Sequence, residues 1–321
     1  MSDTPRHPIH RMVTIALLLA AMVTGALMFA PAAQAAPCSA NCLAPGDYTI
    51  VTLSGGLPRS YLVHVPASYS GDRPVPLLLD LHGFTSYAAD ERKYSGQLAQ
   101  SDKRGFIAVW PEGIALSWNA YGCCAAGNAV QVDDAGFLRS VIVALKGRAN
   151  IDADRVFVTG ISNGGGMAQR MACESADLIR AVASVSFPLN TDRCAPAKPI
   201  GVTEIAATGD ATIAYYGSTP PLAGLPNDLA GVPLGVQGAR ESLAAWKRIS
   251  GCGDDLARRQ INDEVRSEEY LSCNGGVRAG LVTVSGGKHV LYGGYVGLGY
   301  NGTYFPPIDV SEYIWENVFN L

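Results

Sequence analysis

The stretch RVFVTGISNGGGMAQRMAC, residues 155–173, decides how the middle of the chain folds. Its first part, 155–159, is typical of a strand buried on both faces, and 165–173 is typical of a helix. Between them lies Gly160-Ile161-Ser162-Asn163-Gly164, a Gly-x-Ser-x-Gly sequence. At a sharp strand-to-helix turn the serine of this motif has a strained backbone and an exposed hydroxyl, and the glycines leave room for close packing. The pattern therefore predicts that Ser162 is a nucleophile.

Strand and helix patterns alternate on both sides of this turn. Further strands are predicted at residues 48–53, 59–65, 75–81, 106–110, 179–185, 203–207 and 281–284. Helices are predicted from Asp133, at 237–249 and at the C-terminus, where Val310, Ile314, Trp315 and Val318 share one face. The alternation predicts one α/β domain over residues 36–321, with a mostly parallel central sheet flanked by helices. Residues 218–235 are rich in proline and glycine, and we expect a long loop over the site, a possible lid, rather than a linker between domains.

A serine hydroxyl needs a base to take its proton before it can attack. The chain has five histidines, and His7 and His10 belong to the N-terminal segment. His64 lies within a predicted strand and is expected to face solvent. Where a serine nucleophile lies at such a strand-to-helix turn, the catalytic residues follow the chain order serine, acid, histidine. His289 is the only histidine after Ser162, so it is the base by elimination.

The acid should follow a strand between Ser162 and His289. Asp210 directly follows the strand 203–207, and its carboxylate would accept the Nδ1 proton of His289 and fix the tautomer. Four other aspartates compete for this role on sequence grounds: Asp192, Asp254, Asp255 and Asp263.

Two backbone N–H groups are expected to form an oxyanion hole. One belongs to Asn163, after the nucleophile, and the other to Phe84 in the loop His82-Gly83-Phe84. His82 is expected mainly to support that loop. The residues proposed to contact substrate are His82, Trp118, Tyr215 and Tyr292; for the tyrosines the alternative is packing within their loops.

The N-terminus predicts export. Positive residues precede the apolar run 12–30, and Ala33-Gln34-Ala35 is a small-x-small cleavage site, so residues 1–35 are predicted to be a Sec-type signal peptide. An uncleaved membrane anchor is the alternative, because the run is nearly long enough to span a bilayer.

All eight cysteines follow this segment, which indicates disulfides in an exported protein. The preferred pairs are Cys173–Cys194 and Cys252–Cys273. Each closes a loop that would contribute about 3 kcal/mol in the chain-entropy model. The pairing of the remaining four, Cys38, Cys42, Cys123 and Cys124, stays open.

The formal net charge of −4 and the lack of lysine or arginine runs give no indication of a nucleic-acid or membrane partner. The chain has no His-Glu-x-x-His zinc motif and no phosphate-binding Gly-x-x-x-x-Gly-Lys loop. We therefore expect neither a metal nor an organic cofactor.

Four groups of residues resemble the secreted esterase family that contains poly(3-hydroxybutyrate) depolymerases and the feruloyl and acetyl-xylan esterases of carbohydrate esterase family one. They are Leu81-His82-Gly83-Phe84, Trp118-Asn119 with Cys123-Cys124, the run 132–137, and Gly160 to Gly165. The resemblance implies an α/β-hydrolase fold without a cofactor, supports Ser162, Asp210 and His289 as the triad, and suggests the Cys252–Cys273 bridge.

The predicted reaction is hydrolysis of a carboxylic ester through an acyl-enzyme. A polyester is the first expected substrate, and a feruloylated or acetylated plant polysaccharide is the alternative. A secreted hydrolase-fold protein that binds without catalysis is a further alternative. Activity should fall in acid, since a protonated His289 cannot accept the proton of Ser162.

Overall fold

The computed structural model describes residues 42–121, 123, 132–218, 236–291 and 307–320. Ten strands in this part of the chain pair into one sheet. They are β1 (Gly46–Ser54), β2 (Leu57–Val65), β3 (Val75–Leu81), β4 (Ile107–Pro111), β5 (Ile151–Ile161), β6 (Ala181–Val185), β7 (Gly201–Ala207), β8 (Leu256–Gln260), β9 (Val265–Tyr270) and β10 (Ala279–Val284).

The strand order is β1-β2-β4-β3-β5-β6-β7-β10-β9-β8. The six central strands, from β4 to β10 in that order, are parallel. The strands on either side of them pair antiparallel. This is the mostly parallel sheet of an α/β protein, as the alternating pattern predicted.

Helices cover both faces of this sheet. They are α1 (Ala88–Tyr94), α2 (Gln97–Arg104), α3 (Asp134–Lys146), α4 (Asn163–Glu174), α5 (Ala239–Ile249) and α6 (Val310–Tyr313), which continues as a π-helical turn over Ile314–Val318. The central strands carry apolar side chains on both sides, so a hydrophobic core lies on each face. The predicted C-terminal face is confirmed, since Val310, Ile314, Trp315 and Val318 are all buried.

Two pairs of elements have no counterpart among the predicted ones. The helices α1 and α2 are seven and eight residues long and rich in polar residues. The hairpin of β8 and β9 is mostly charged, and β8 is largely exposed. Neither pair has the apolar periodicity from which helices and strands are predicted.

The start of α3 depends on two aspartates. Asp133 caps the helix, since its side chain accepts a hydrogen bond from the Gly136 N–H at 2.8 Å. Asp134 turns inward instead: its carboxylate accepts from Arg59 at 2.7 Å and from the Asn119 N–H at 2.8 Å. The buried pair with Arg59 therefore joins α3 to β2 and to the segment around Asn119.

The two preferred disulfides, Cys173–Cys194 and Cys252–Cys273, are confirmed. Cys42 and Cys123 are also disulfide-bonded. Cys38 and Cys124 lie outside the described residues, as do the predicted signal peptide and all but the first residue of 218–235. Among the helices that are described, none has the length and apolar character needed to cross a membrane.

The parallel topology determines which loops meet. Strands β3 and β5 are neighbours, as are β7 and β10. Their carboxyl ends lead into the segments that begin at His82, Ser162, Thr208 and Ser285. In open α/β sheets this edge is where ligand sites form.

The burial of Glu204 on β7 should make the stability of the protein depend on pH. The side chain is buried, its Oε2 has no hydrogen-bond partner, and burial raises its pKa to about 8. The folded chain therefore keeps a proton that the unfolded chain loses above its ordinary value of 4.5, so stability falls as pH rises between these two values.

As the pH rises from about 5 to about 8, the midpoint of thermal unfolding should fall in the unmodified protein. We expect a smaller fall in Glu204→Gln, which has no carboxyl group to ionise at this position. Scanning calorimetry at several pH values measures this difference, with the exposed Glu264→Gln as matched control. An identical pH dependence in the unmodified protein and Glu204→Gln would rule out this account of Glu204.

Candidate active site

Ser162 occupies the turn between β5 and α4. Its backbone has φ 55° and ψ −124°, a conformation rare for a residue with a side chain. A backbone hydrogen bond fixes the turn to the neighbouring strand: the Ser162 N–H donates to the carbonyl of Val185 on β6 at 2.8 Å. A strained residue that its surroundings hold in place is typical of a functional site.

Glycines on both sides of Ser162 allow the end of β3 to approach this turn. A Cβ on Gly160 would lie 2.6 Å from the carbonyl oxygen of Leu81. A Cβ on Gly164 would overlap the carbonyl oxygens of Leu81 and His82. The close packing expected of these glycines is thus confirmed, and it places the loop after β3 directly beside Ser162.

Asp210 and His289 meet where β7 and β10 end. His289 Nδ1 lies 2.8 Å from Asp210 Oδ2, and the Asp210 side chain is only 1% exposed. The other carboxylate oxygen accepts from the N–H groups of Thr212 and Ile213, each at 2.8 Å. Because a carboxylate so bonded is an acceptor, His289 Nδ1 donates, which leaves Nε2 able to accept a proton.

The competing aspartates lie elsewhere. Asp192, Asp255 and Asp263 are exposed, and Asp254 pairs with Lys247 on the surface. None of the four lines the cavity that contains Ser162 and His289. Their positions leave Asp210 as the aspartate that meets the histidine.

One cavity of about 590 Å³ is lined by Ser162 and His289 together. Its walls come from the loop after β3, from helix α1, and from the segments after β7 and β10. Within the described residues no hydrogen bond joins the Ser162 hydroxyl to His289. Such bonds are often long until a substrate is bound.

Two backbone N–H groups near Ser162 are free to bind an anion. Among the described residues, neither Phe84 N nor Asn163 N donates to an acceptor, whereas the next N–H in the loop, that of Thr85, donates to the Leu116 carbonyl. Phe84 lines the cavity, and Asn163 is the first residue of α4, where the helix dipole is positive. This pair can therefore stabilise negative charge that develops on a carbonyl oxygen beside Ser162.

The side chain of Asn163 has a role that the sequence did not predict. Its Oδ1 accepts from the Trp118 N–H at 2.7 Å, and its Nδ2 donates to the carbonyls of Trp118 and Cys123 at 3.0 and 3.1 Å. The amide thus fixes Trp118 and Cys123 against the turn at Ser162. Nothing in the spacing of the motif distinguishes Asn163 from another residue at this position.

The side chain of His82 does not line the cavity, where one of the predictions expected it to contact substrate. The ring is fully buried: Nδ1 donates to the Gly83 carbonyl at 2.8 Å, and Nε2 accepts from the Gly113 N–H at 2.9 Å. Burial lowers the pKa of His82 to about 4, so the ring is neutral at pH 7. It supports the loop that carries Phe84, the role that the sequence favoured.

The aromatic residues expected in the cleft are also placed differently. Trp118 is fully buried, and its indole N–H donates to the His82 carbonyl at 2.9 Å. Tyr215 is buried with its hydroxyl 2.9 Å from Thr283 Oγ1. The substrate-contact prediction is therefore wrong for both, since neither side chain reaches the cavity. Tyr292 lies outside the described residues.

His64 is likewise not a solvent-facing strand residue. Its side chain is 13% exposed and lies between two carboxylates, with Nδ1 2.7 Å from Asp47 and Nε2 3.0 Å from Asp102. It therefore joins β1, β2 and α2, away from the cavity.

Several cavity residues have no signal in the sequence. Asp90, Glu91 and Tyr94 reach the cavity from α1, and Lys288 and Leu291 flank the histidine loop. The three α1 residues were missed because their helix was missed.

The chain resembles known esterases along most of its length. It is 29% identical over 248 residues to feruloyl esterase B of Piromyces equi, a match covering 74% of this chain and 44% of that protein. It is 27% identical over 295 residues to feruloyl esterase D of Neurospora crassa, covering 88% and 90%. No protein-family model matches the chain.

The fold has a counterpart among solved structures. Acetyl xylan esterase from Aspergillus awamori superposes with a TM-score of 0.54 at 12% identity, covering 79% of this chain and 96% of that one. These relatives are named as carboxylic ester hydrolases, and the superposition shows that this chain has the same α/β fold as the acetyl xylan esterase. The poly(3-hydroxyalkanoate) depolymerase C of Paucimonas lemoignei is also similar to this chain, at 26% identity over 71% of the chain and 52% of that protein.

The contact at Gly164 can be tested by substitution. We expect Gly164→Ala to lower kcat/KM for 4-nitrophenyl acetate by about 100-fold or more, because the added Cβ pushes the start of α4 away from the loop of Phe84. Gly253→Ala is the matched control, since its Cβ meets only ordinary contacts at 3.8 Å. A Gly164→Ala variant with unchanged kcat/KM would contradict the importance of this contact.

Proposed function

We propose that Ser162, His289 and Asp210 carry out the ester hydrolysis of this protein. The observation that carries the proposal is the hydrogen bond between His289 and the buried Asp210, beside a cavity that both His289 and Ser162 line. That arrangement leaves His289 Nε2 as the acceptor for the proton of Ser162.

The proposed reaction has two steps. Ser162 Oγ attacks the ester carbonyl carbon while His289 Nε2 takes the hydroxyl proton, and the N–H groups of Phe84 and Asn163 bind the resulting oxyanion. The ester C–O bond then breaks, and the alcohol leaves with the proton from His289. A water molecule, which gives a proton to His289, attacks the acyl-enzyme; the acid is released and the proton returns to Ser162.

We propose hydroxycinnamoyl esters of plant polysaccharides as the substrate class, in place of the polyester first expected. The match to feruloyl esterase D extends over nearly the whole length of both proteins, whereas the match to the depolymerase covers about half of that enzyme. The cavity wall combines polar residues such as Ser86 and Asp90 with apolar ones such as Phe84 and Leu291, which suits an aromatic acyl group that carries a hydroxyl.

Export of the protein is part of the proposal. A polymeric cell-wall substrate requires an enzyme outside the cell. The disulfides Cys173–Cys194 and Cys252–Cys273 support this location, since such bonds persist in oxidising compartments. The predicted signal peptide, residues 1–35, would direct the chain to export.

The substrate proposal is tested by incubating the purified protein with feruloylated arabinoxylan, acetylated xylan and a poly(3-hydroxybutyrate) suspension, and measuring the acid released from each. We expect ferulate as the main product and none from Ser162→Ala. The exposed Ser272→Ala is the matched control and should retain full activity.

Release of hydroxybutyrate or acetate without ferulate would contradict the substrate class while leaving the triad intact. Ferulate release by Ser162→Ala at the unmodified rate would contradict the nucleophile.

A further inference from the structure

The loop that carries Phe84 contains a strained residue that the proposed reaction does not use. Thr85 follows Phe84 and lines the cavity. Its φ is 65°, a value that residues branched at Cβ adopt only under constraint. Strained residues persist where their surroundings hold them, and they concentrate at functional sites. The contacts of Thr85 therefore indicate what its strain maintains.

Thr85 occupies the second of the two central positions of a β-turn. The Ser86 N–H donates to the Gly83 carbonyl at 3.2 Å and closes the turn around Phe84 and Thr85. Of the two central residues only Thr85 has a positive φ, which is the pattern of a type II turn. Glycine is the usual residue at this position because it avoids the strain. A threonine here therefore has to be held by contacts of its own.

Both polar groups of the peptide between Phe84 and Thr85 form hydrogen bonds. The Thr85 N–H donates to the Leu116 carbonyl at 2.9 Å, and the Phe84 carbonyl accepts from the Thr85 hydroxyl, Oγ1, at 2.6 Å. The second bond is one that glycine cannot form. It offsets the strain at residue 85 with a contact inside the turn itself.

The segment that accepts from this N–H is bonded to two points of the loop. Leu116 ends the short helical turn Ile114–Leu116 and has a positive φ of its own, 59°. The Gly113 N–H, just before that turn, donates to Nε2 of His82 at 2.9 Å. The loop is therefore attached at its first residue and at its strained one, and Phe84 lies between the two attachments.

The β-turn sets the direction of the Phe84 N–H. The carbonyl of Gly83 accepts from the Ser86 N–H at 3.2 Å and from His82 Nδ1 at 2.8 Å, so its orientation is fixed. The C=O and N–H of a trans peptide point in opposite directions, and the Phe84 N–H therefore points out of the turn. This N–H donates to no acceptor among the described residues. A contact that holds the turn also holds this donor.

We propose that Thr85 is a positioning residue for the oxyanion hole: its hydroxyl holds the turn that directs the Phe84 N–H at the carbonyl oxygen of the substrate. Thr85 acts through Phe84 and gives its own hydrogen bond to the turn. The inference goes beyond the proposed function but rests on it, because that function assigns the Phe84 N–H to the oxyanion.

Two substitutions separate the hydroxyl from the rest of the side chain. Thr85→Val removes the hydroxyl but keeps the size and the branch at Cβ, whereas Thr85→Ser keeps the hydroxyl. The residue is exposed, so neither change leaves a buried cavity. Thr49→Val is the matched control, since Thr49 is exposed on β1 and does not line the cavity. Thermal unfolding of each variant shows that folded proteins are compared.

The variants are assayed with 4-nitrophenyl acetate and with phenylboronic acid, whose tetrahedral adduct on a serine resembles the transition state. We expect Thr85→Val to lower kcat/KM for the ester and the affinity for the boronic acid by a similar factor, about tenfold. Thr85→Ser should restore both quantities to within about twofold of the unmodified protein, because its hydroxyl can form the same bond.

Three results would overturn the positioning role. One is a change below about twofold in both quantities in Thr85→Val. Another is an equal loss in Thr85→Val and Thr85→Ser, because the hydroxyl would then not be the cause. The third is a loss of kcat/KM in Thr85→Val without a loss of boronic acid affinity, which would separate Thr85 from the oxyanion.

If the unmodified protein hydrolyses no ester, the proposed function fails, and the turn is then tested without a substrate. The amide hydrogen of residue 85 donates to Leu116, so its protection from exchange, measured by NMR, reports on the turn. We expect a protection factor about tenfold lower in Thr85→Val than in Thr85→Ser. Equal protection factors would overturn the role of the hydroxyl.

Discussion

The backbone contact between the turn at Ser162 and the end of β3 determines where the parts of the site lie. Gly160 and Gly164 allow the carbonyls of Leu81 and His82 to approach to a distance that a Cβ would prevent. As a result, the loop of Phe84 lies beside the first turn of α4, and the N–H groups of Phe84 and Asn163, which donate to no acceptor among the described residues, both lie near Ser162. Buried side chains then fix this arrangement, because Asn163 and His82 form hydrogen bonds with backbone groups of neighbouring segments.

The second half of the site depends on the pairing of β7 with β10. These parallel neighbours bring Asp210 and His289 together although they are 79 residues apart in sequence. A further hydrogen bond, from the Gly286 N–H to Thr208 Oγ1 at 2.8 Å, joins the two loops just before Asp210 and His289. The acid is held by two backbone N–H groups, so the orientation of the histidine follows from the backbone rather than from long side chains.

Features with a fixed local chemistry could be predicted from the sequence. The motif around Ser162, the sheet, two disulfides and the contact between Asp210 and His289 follow from residue patterns and from the chain order of a triad. Burial of individual aromatic side chains could not be predicted: Trp118 and Tyr215 look like cleft residues but pack inside. Helix α1 was missed because it is short and polar, and Glu91, a buried residue of this helix that lines the cavity, was missed with it.

The central claim is that Ser162 is a nucleophile activated by His289 and Asp210. It is tested most directly by reacting the protein with a 4-nitrophenyl alkylphosphonate ester and locating the adduct by peptide mass spectrometry. The account predicts one adduct per chain, on Ser162, formed at least about 100-fold more slowly in Asp210→Asn. An adduct on another residue, or an unchanged rate in Asp210→Asn, would contradict it.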